Sequence, residues 1–208
     1  MSSNNYIIVG YSGHAYVICD AILECASGTI IGYLDNKELD INPYQLEYLG
    51  TEADYVVKSN ISKTLFVLGI GDNAIRIKIS DFLMEHDCLL GTIIHPNSWI
   101  SKTAEVHSGV FVNANAAINS RAIIESDVII NTGAIVEHDC FIGRGCHIAP
   151  GAVLAGNVTI GSGTFIGANA VVKQGIKIGK NVIIGAGSVI ISDIPDGVKV
   201  AGNPARKL

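Results

Sequence analysis

Residues 136–154 read VEHDCFIGRGCHIAPGAVL, and counting through them in sixes decides the fold. Val136, Ile142, Ile148 and Leu154 are all aliphatic. The same register extends upstream through Ile130, Ile124, Ile118, Val112, Val106 and Ile100. Downstream it continues through Ile160, Ile166, Val172, Ile178, Ile184 and Ile190, sixteen positions without a slip. A helix has a period of 3.6 and a half-buried strand a period of 2, so neither makes this pattern. A hexapeptide β-solenoid does: each hexad is one short strand and one corner, with the aliphatic side chain pointing into a prism. Four residues after each aliphatic the chain is compact or β-branched, as at Ala104, Ala116, Ala134, Cys140, Cys146 and Ala152. A narrow interior needs that alternation. Glycine follows the aliphatic at 143, 161, 167, 179 and 185, which reads as the demand of a tight corner on the backbone.

Upstream of this run the period vanishes. Tyr6–Val9 reads as a buried strand ending in Gly10-Tyr11-Ser12-Gly13-His14. A helix is expected from Ala15 to Ala26, then strands at Thr29–Leu34 and Leu65–Leu68. A second helix is expected from Ala74 to Glu85, and a last strand at Leu89–Ile94. Alternating strands and helices imply a small parallel, Rossmann-like sheet, whose ligands sit at the carboxyl ends of the strands. Ser12, His14, Asp35 and Gly71 fall there. Gly10-x-Ser12-Gly13-His14 lacks the GxGxxG spacing. It suits a phosphate at a helix N-terminus, and equally suits a plain strand–helix turn. Asp35 ends the second strand, where a carboxylate can bind ribose or base, or simply stand in a solvated turn. The chain thus divides into an α/β domain at 1–97, a solenoid at 98–191 and a tail at 192–208.

Composition narrows the class. The chain has 208 residues, 49% hydrophobic and 16% charged, and reads as globular rather than disordered. Its apolar runs are strand-length, so no membrane span is expected. A net charge of −5 argues against nucleic acid as partner. The start, MSSNNYIIVG, lacks a basic n-region, and a cytoplasmic location is the default expectation. Five cysteines with no CxxC pair suggest reduced thiols. Cys140 and Cys146 fall on compact interior positions, which favours core packing over a zinc site with His138 and His147.

Within the solenoid, Glu137-His138-Asp139 is the costly cluster. A histidine has the proton affinity for base catalysis near neutrality, and a neighbouring carboxylate can orient its ring. Glu137 and Asp139 are both candidates. Neighbours on a strand point to opposite faces, so contact requires a corner. An exposed surface histidine is the plainer alternative, and His147 and Asn131 can likewise be surface or turn residues.

The whole chain resembles the sugar acetyltransferases of the sialic-acid O-acetyltransferase and bacillosamine N-acetyltransferase type. The resemblance rests on GYSGH near the start, LDN after the second strand, GIGDNAIR after the third, IIHP at the junction and the hexad run. It implies a left-handed parallel β-helix, three hexads per coil and about five coils, although general chirality rules favour right-handed crossovers. It implies acetyl-CoA as co-substrate, no metal, and a homotrimer with active sites between subunits. The acceptor would be the 4-amino group of a UDP- or dTDP-linked 4-amino-4,6-dideoxy sugar used in surface glycan or O-antigen synthesis. Glu137-His138-Asp139-Cys140, followed by Ile142-Gly143, matches the family's active-site segment. His138 would be the base and Asp139 its support, with a side chain one methylene shorter than the usual Glu. Gly10, Ser12, Gly13 and His14 would lie near the diphosphate, Asp35 and Asn36 near base and ribose, and Asn131 near the acetyl group and acceptor. His147 would contact the acetyl donor or sugar.

With eighteen residues per coil, His138 stacks on Gly156, whose N–H could meet the thioester oxygen. Ala168 stacks above Pro150 and below Ala186, and the resemblance implies that backbone groups at Ala168 and Ala186 hold the pantetheine arm. The tail, Val200 to Lys207, resembles the family's terminal V-x-G-x-P-A segment. Arg206 and Lys207 there could meet CoA phosphates or form a frayed basic end. Two other readings remain: O-acetylation of the sialic-acid type, and a non-catalytic solenoid scaffold.

Overall fold

The structure, a computed structural model, describes residues 4–25, 28–58 and 64–208. Met1–Ser3 and Ala26, the expected end of the first helix, lie outside the described residues. The chain splits into two compact units, Met1–Pro96 and Asn97–Leu208.

In the first unit the elements run β1 (Asn4–Val9), α1 (Gly13–Cys25), β2 (Gly28–Leu34), α2 (Glu52–Lys58), β3 (Thr64–Leu68), α3 (Asn73–Glu85) and β4 (Leu89–Leu90). The sheet order is β2-β1-β3-β4, all parallel. β1 lies between two neighbours and is apolar on both faces, so Ile7, Ile8 and Val9 are fully buried. From β1 the chain moves to one side for β2 and to the other for β3, which leaves a switch point at the carboxyl ends of β1 and β3. The expected strand Leu89–Ile94 breaks at Gly91. Leu89–Leu90 joins this sheet, and Ile93–Ile94 is a separate short strand. Residues 37–51, unread in the sequence, are pinned by tyrosines. Tyr11 stacks on Tyr33 at 4.2 Å, Tyr33 is bridged to Tyr48, and the Tyr11 hydroxyl donates to Asn42 Oδ1.

In the second unit each hexad contributes a two-residue strand, and the strands stack into three parallel sheets. One face carries Ile135–Val136 over Ala117–Ile118 and under Val153–Leu154. The next carries Phe141–Ile142 between Ile123–Ile124 and Thr159–Ile160, and the third His147–Ile148 between Ile129–Ile130 and Phe165–Ile166. Each partner is eighteen residues away, as Ile124↔Ile142 illustrates. The second residue of each pair faces inward: Ile118, Ile124, Ile130, Val136, Ile142, Ile148 and Leu154 have no exposed area. Each such side chain contributes about 1.5–3 kcal/mol of burial. Cys140 and Cys146 are also interior, and their thiols donate to Ala155 O and Gly161 O of the following coil.

The corners are made differently from the expectation. From Gly109 to Gly187 every sixth residue has a left-handed backbone, and this residue lies three places after the aliphatic, not one. Seven of these corners are glycine, four Asn, two Asp and one Arg121. The conformation costs most residues roughly 1–2 kcal/mol, and Asn and Asp tolerate it best. The glycines directly after the aliphatic serve close packing instead. A Cβ on Gly143 would sit 2.7 Å from Ser162 N, and one on Gly167 2.5 Å from Ala186 N.

The last turn is shorter: Ile178 bridges Ile194 and Ile183 pairs with Lys199, sixteen residues on rather than eighteen. Asp193 Oδ1 accepts from Lys177 N and Asp196 Oδ1 from Lys180 N, 2.8 and 2.7 Å. The tail is ordered as strands Lys199–Gly202 and Ala205–Lys207, paired antiparallel, rather than as a frayed end.

Candidate active site

The prism edge between the Ile135–Val136 face and the Phe141–Ile142 face carries His138 and Asp139. Asp139 is one of the left-handed corners, with φ 61°. That turn swings its carboxylate to the same side as the preceding imidazole, which a regular strand would forbid. Asp139 Oδ2 accepts from His138 Nδ1 at 2.9 Å, and Oδ1 accepts from Arg121 Nε at 2.8 Å. The shorter Asp side chain therefore reaches the ring. Glu137 does not: its Oε2 accepts only from the His138 backbone N–H, at 3.4 Å. The hydrogen bond from His138 and, after it, the Arg121 charge hold the Asp139 carboxyl below its usual range, so it stays ionised. An ionised acceptor on Nδ1 assigns the ring proton there and leaves the Nε2 lone pair outward.

Gly156 lies against this ring. A Cβ added to Gly156 would fall 2.6 Å from both Cε1 and Nε2 of His138, so any larger residue would displace the imidazole from this seat. Its carbonyl accepts from Gly175 N, while its own N–H has no protein partner among the described residues. The result is an imidazole seated against a glycine whose backbone donor is unused, and the ring itself lines an open hollow with Asp139, Phe141, Asn157 and Gln174. That pair can take a proton and stabilise an oxyanion.

The other expected solenoid residues stand apart from this edge within one chain. Asn131 Nδ2 meets His147 Nε2 at 3.1 Å, and Asn131 Oδ1 accepts from Thr132 N and Asn113 Nδ2. Asn131 is therefore the donor to His147 Nε2, which puts the His147 proton on Nδ1. His147 lies on the third face, edge-on to Phe165. Pro150, Ala168 and Ala186 stack on the edge between the third and first faces. There Asn169 N donates to Pro150 O and Gly187 N to Ala168 O. One prism thus carries the expected donor-side residues on a different edge from His138.

In the first unit the expected ligand residues gather at the carboxyl ends of the strands but divide between two hollows. Gly10, Asp35 and Asn36 line one with Glu52 and Ile70, about 180 Å³ in volume. Ser12 and Gly13 line the other with Tyr11, Tyr16 and Ile41. Gly10 needs its glycine twice: φ is 78°, and a Cβ would lie 2.6 Å from Ile70 Cγ1. Gly13 starts α1 with open space around its Cβ position. Both Asp35 oxygens accept backbone N–H groups, from Tyr11 at 2.9 Å and Asn36 at 2.7 Å, so this carboxylate knits the two strand ends together. Burial, reinforced by the Arg76 charge, pushes the His14 imidazole down to about 4 and keeps it neutral. Arg76 itself is buried, donating to Ile70 O, Gly71 O and Asn73 Oδ1, and it holds the loop after β3 in shape.

Sequence reasoning missed Arg76, the tyrosine cluster and Arg121. A signal for Arg121 existed: it lies one coil, eighteen residues, before Asp139.

Among the described residues there is no cluster of His, Cys, Asp and Glu suited to a metal ion, and no helix long and apolar enough to cross a membrane.

A parallel solenoid with this edge defines a hexapeptide-repeat transferase, and comparison with known proteins agrees. Residues 5–83 match the PglD N-terminal domain, and 121–156 and 157–192 match the bacterial transferase hexapeptide repeats. The UDP-N-acetylbacillosamine N-acetyltransferase of Bacillus subtilis (strain 168) is 36% identical over 107 residues, 50% of this chain and 49% of that protein. The alignment to this curated relative thus spans about half its length. The acetyltransferase domain of PglB from Neisseria gonorrhoeae FA1090, solved alone and with acetyl coenzyme A, is 32% identical. It superposes with a TM-score of 0.93 over 99% of this chain and 100% of that one. PerB from Caulobacter crescentus, solved with CoA and GDP-perosamine, is 33% identical with a TM-score of 0.92, covering 100% of this chain and 98% of that one. The chain belongs to the hexapeptide-repeat acetyltransferases that carry a PglD-type N-terminal domain, and its solenoid is their left-handed parallel β-helix.

Proposed function

We propose that this protein transfers the acetyl group of acetyl-CoA to the 4-amino group of a nucleotide-linked 4-amino-4,6-dideoxy sugar, for glycan biosynthesis. The observation that carries the reading is the His138 imidazole, clamped at Nδ1 by Asp139 and seated with Nε2 open against Gly156. The relatives solved with acetyl coenzyme A, and with CoA and GDP-perosamine, support both substrates.

The chemistry follows from the arrangement. The acceptor ammonium loses one proton to solvent. The neutral amine attacks the thioester carbon, and the new C–N bond pushes the carbonyl electrons onto oxygen, facing the Gly156 N–H. Nε2 of His138 takes the second amine proton. Collapse of the intermediate breaks the C–S bond and expels CoA thiolate, which recovers a proton from the His138 imidazolium or from water. Asp139 holds the ring and offsets its transient positive charge. The first unit holds the nucleotide at Gly10, Ser12, Gly13 and His14, with Asn36 beside the strand end.

The acetyl donor is held between copies. The expected donor residues His147, Ala168 and Ala186 lie away from His138 in one chain. The outer faces also leave apolar side chains uncovered, with Trp99 65%, Val171 40% and Ile183 43% exposed. Three prisms side by side would bring one copy's His138 edge to another's Ala168 edge. Acetyl-CoA is a cytoplasmic metabolite, and the reaction belongs there.

The test follows CoA thiol release from acetyl-CoA with UDP-, dTDP- and GDP-linked 4-amino sugars and with free sialic acids. Turnover is expected with a nucleotide-linked amino sugar. Turnover confined to a sialic acid would replace the reading with O-acetylation. Silence with every acceptor, alongside a stable monomer in light scattering, would favour the scaffold.

A further inference from the structure

Arg121 is out of place by the rules of its own repeat. Its corner has φ 63°, and the other thirteen left-handed corners between Gly109 and Gly187 are Gly, Asn or Asp. Nothing about that backbone favours arginine. Burial does not explain it either, because the side chain is 78% exposed. What distinguishes the position is its register: eighteen residues before Asp139, it occupies the same corner one coil earlier. Its backbone is tied down by Thr103 Oγ1, which accepts from Arg121 N at 3.2 Å. From there Nε reaches Asp139 Oδ1 at 2.8 Å. The other oxygen of that carboxylate is the one on His138 Nδ1, at 2.9 Å.

We infer that Arg121 is a positioning residue, which fixes the Asp139 carboxylate and through it the Nδ1–H tautomer of His138. The inference rests on His138 acting as the base. Asp139 is 37% exposed, so with His138 as its one partner its carboxylate could turn away into water. A guanidinium on one oxygen leaves a single orientation, with the second oxygen aimed at the ring. The tautomer then matters for chemistry. With the proton on Nδ1, the Nε2 lone pair faces the place beside Gly156 where an amine proton must be removed. With the proton on Nε2, the same ring in the same place is a donor and cannot act as the base. Asp139 alone favours the useful form, and Arg121 keeps Asp139 in position to do so.

The test substitutes Arg121→Asn, because asparagine is the resident of corners 115, 157, 169 and 181 at φ between 53° and 58°. Arg121→Gly is a second variant that suits the same backbone. Both are expected to melt no lower than wild type and to keep KM for acetyl-CoA and amino sugar. Their kcat should fall roughly 10-fold, equivalent to about 1.4 kcal/mol of barrier. Nitrogen-15 NMR of labelled histidine should show the His138 Nε2–H form growing at the expense of Nδ1–H. Arg121→Lys, which keeps the charge without the planar fork, should recover part of both. Wild-type kcat with an unchanged tautomer in Arg121→Asn would overturn the inference, as would a fall in kcat with no change in tautomer. His138→Ala is measured alongside. If it is inactive while Arg121→Asn is normal, only the role of Arg121 fails. If it is active, the reading of His138 fails.

Discussion

In the solenoid, Arg121, Asp139 and Asn157 stand on one line because each is eighteen residues from the next. In the first unit, Gly10, Asp35 and Gly69 meet because three strands of unrelated sequence end at the same edge, where Gly10 N donates to Leu34 O and Gly69 N to Val9 O. In the repeat, a residue number is nearly a coordinate, and a side chain's neighbours can be counted to. In the sheet, position comes from packing and from side chains such as Tyr11 and Arg76 that reach across loops. A substitution in the repeat should therefore act on one known neighbour, whereas one at the sheet edge should act through the ligand or the loop it shapes.

The largest effect should come from the counted neighbours. His138→Ala should lower kcat by about 10²–10⁴-fold, the range for a lost general base, with KM for acetyl-CoA little changed. Gly156→Ala puts a methyl group where the imidazole is and should cost on the order of 10²-fold in kcat by displacing the ring. Its melting temperature should hold, since the displaced group is a side chain near the surface. Equal activity in Gly156→Ala would show that ring and glycine are not in contact during turnover.

Stability should separate the two units next. Gly167→Ala presses a methyl on the backbone of Ala186 and should destabilise by about 1–3 kcal/mol, as overpacking does. Gly13→Ala meets no atom and should change stability by less than about 0.5 kcal/mol. Gly13→Trp should instead raise KM for the nucleotide sugar alone. Denaturant melts of the two alanine variants, with KM measurements on Gly13→Trp, check the contrast. A loss of affinity for both substrates in Gly13→Trp would remove the first unit's assigned role.

The smallest effect concerns acid. The Asp139 pKa is depressed in the folded protein, first by His138 and then by Arg121. Its stabilisation is therefore complete above the ordinary Asp pKa and lost as pH falls through the depressed value. Below about pH 4, wild type should lose slightly more melting temperature than Asp139→Asn. Parallel melting curves down to the acid limb would remove the ion pair from the account.

The periodic unit was legible because its information is redundant. The aliphatic register alone sets the strands, and the eighteen-residue coil implied by the resemblance places His138 on Gly156. The reach of Asp139 was harder to read, because it depends on a left-handed corner, and corners were assigned to the wrong glycines. Glycine after the aliphatic is frequent in the sequence, but it answers the packing of the next coil, while the turn falls where Asn, Asp and Gly alternate. Arg121 was missed for the same reason. In the first unit the strands and helices were readable from apolar runs. The 37–51 segment was not, since its place depends on tyrosine contacts with Tyr11, Tyr16 and Tyr33 that have no period. Asp35 was read toward ligand, yet a carboxylate at a strand end also serves backbone N–H groups, and here it serves two.

The shortened final turn ends the stack of coils. A stack of identical coils has no internal reason to stop, and each exposed rim offers its N–H groups to another coil. Here Asp193 and Asp196 occupy those groups with carboxylates, and the chain then doubles back antiparallel. A whole coil added or removed between Gly109 and Gly187 would preserve the stacking rule, because every junction there is alike. Past Ile190 the junction is unlike the others, and extension would require replacing the two aspartates and restoring the two missing residues. The number of coils can thus vary within the run, while the place where stacking stops is written by a terminator a few residues long.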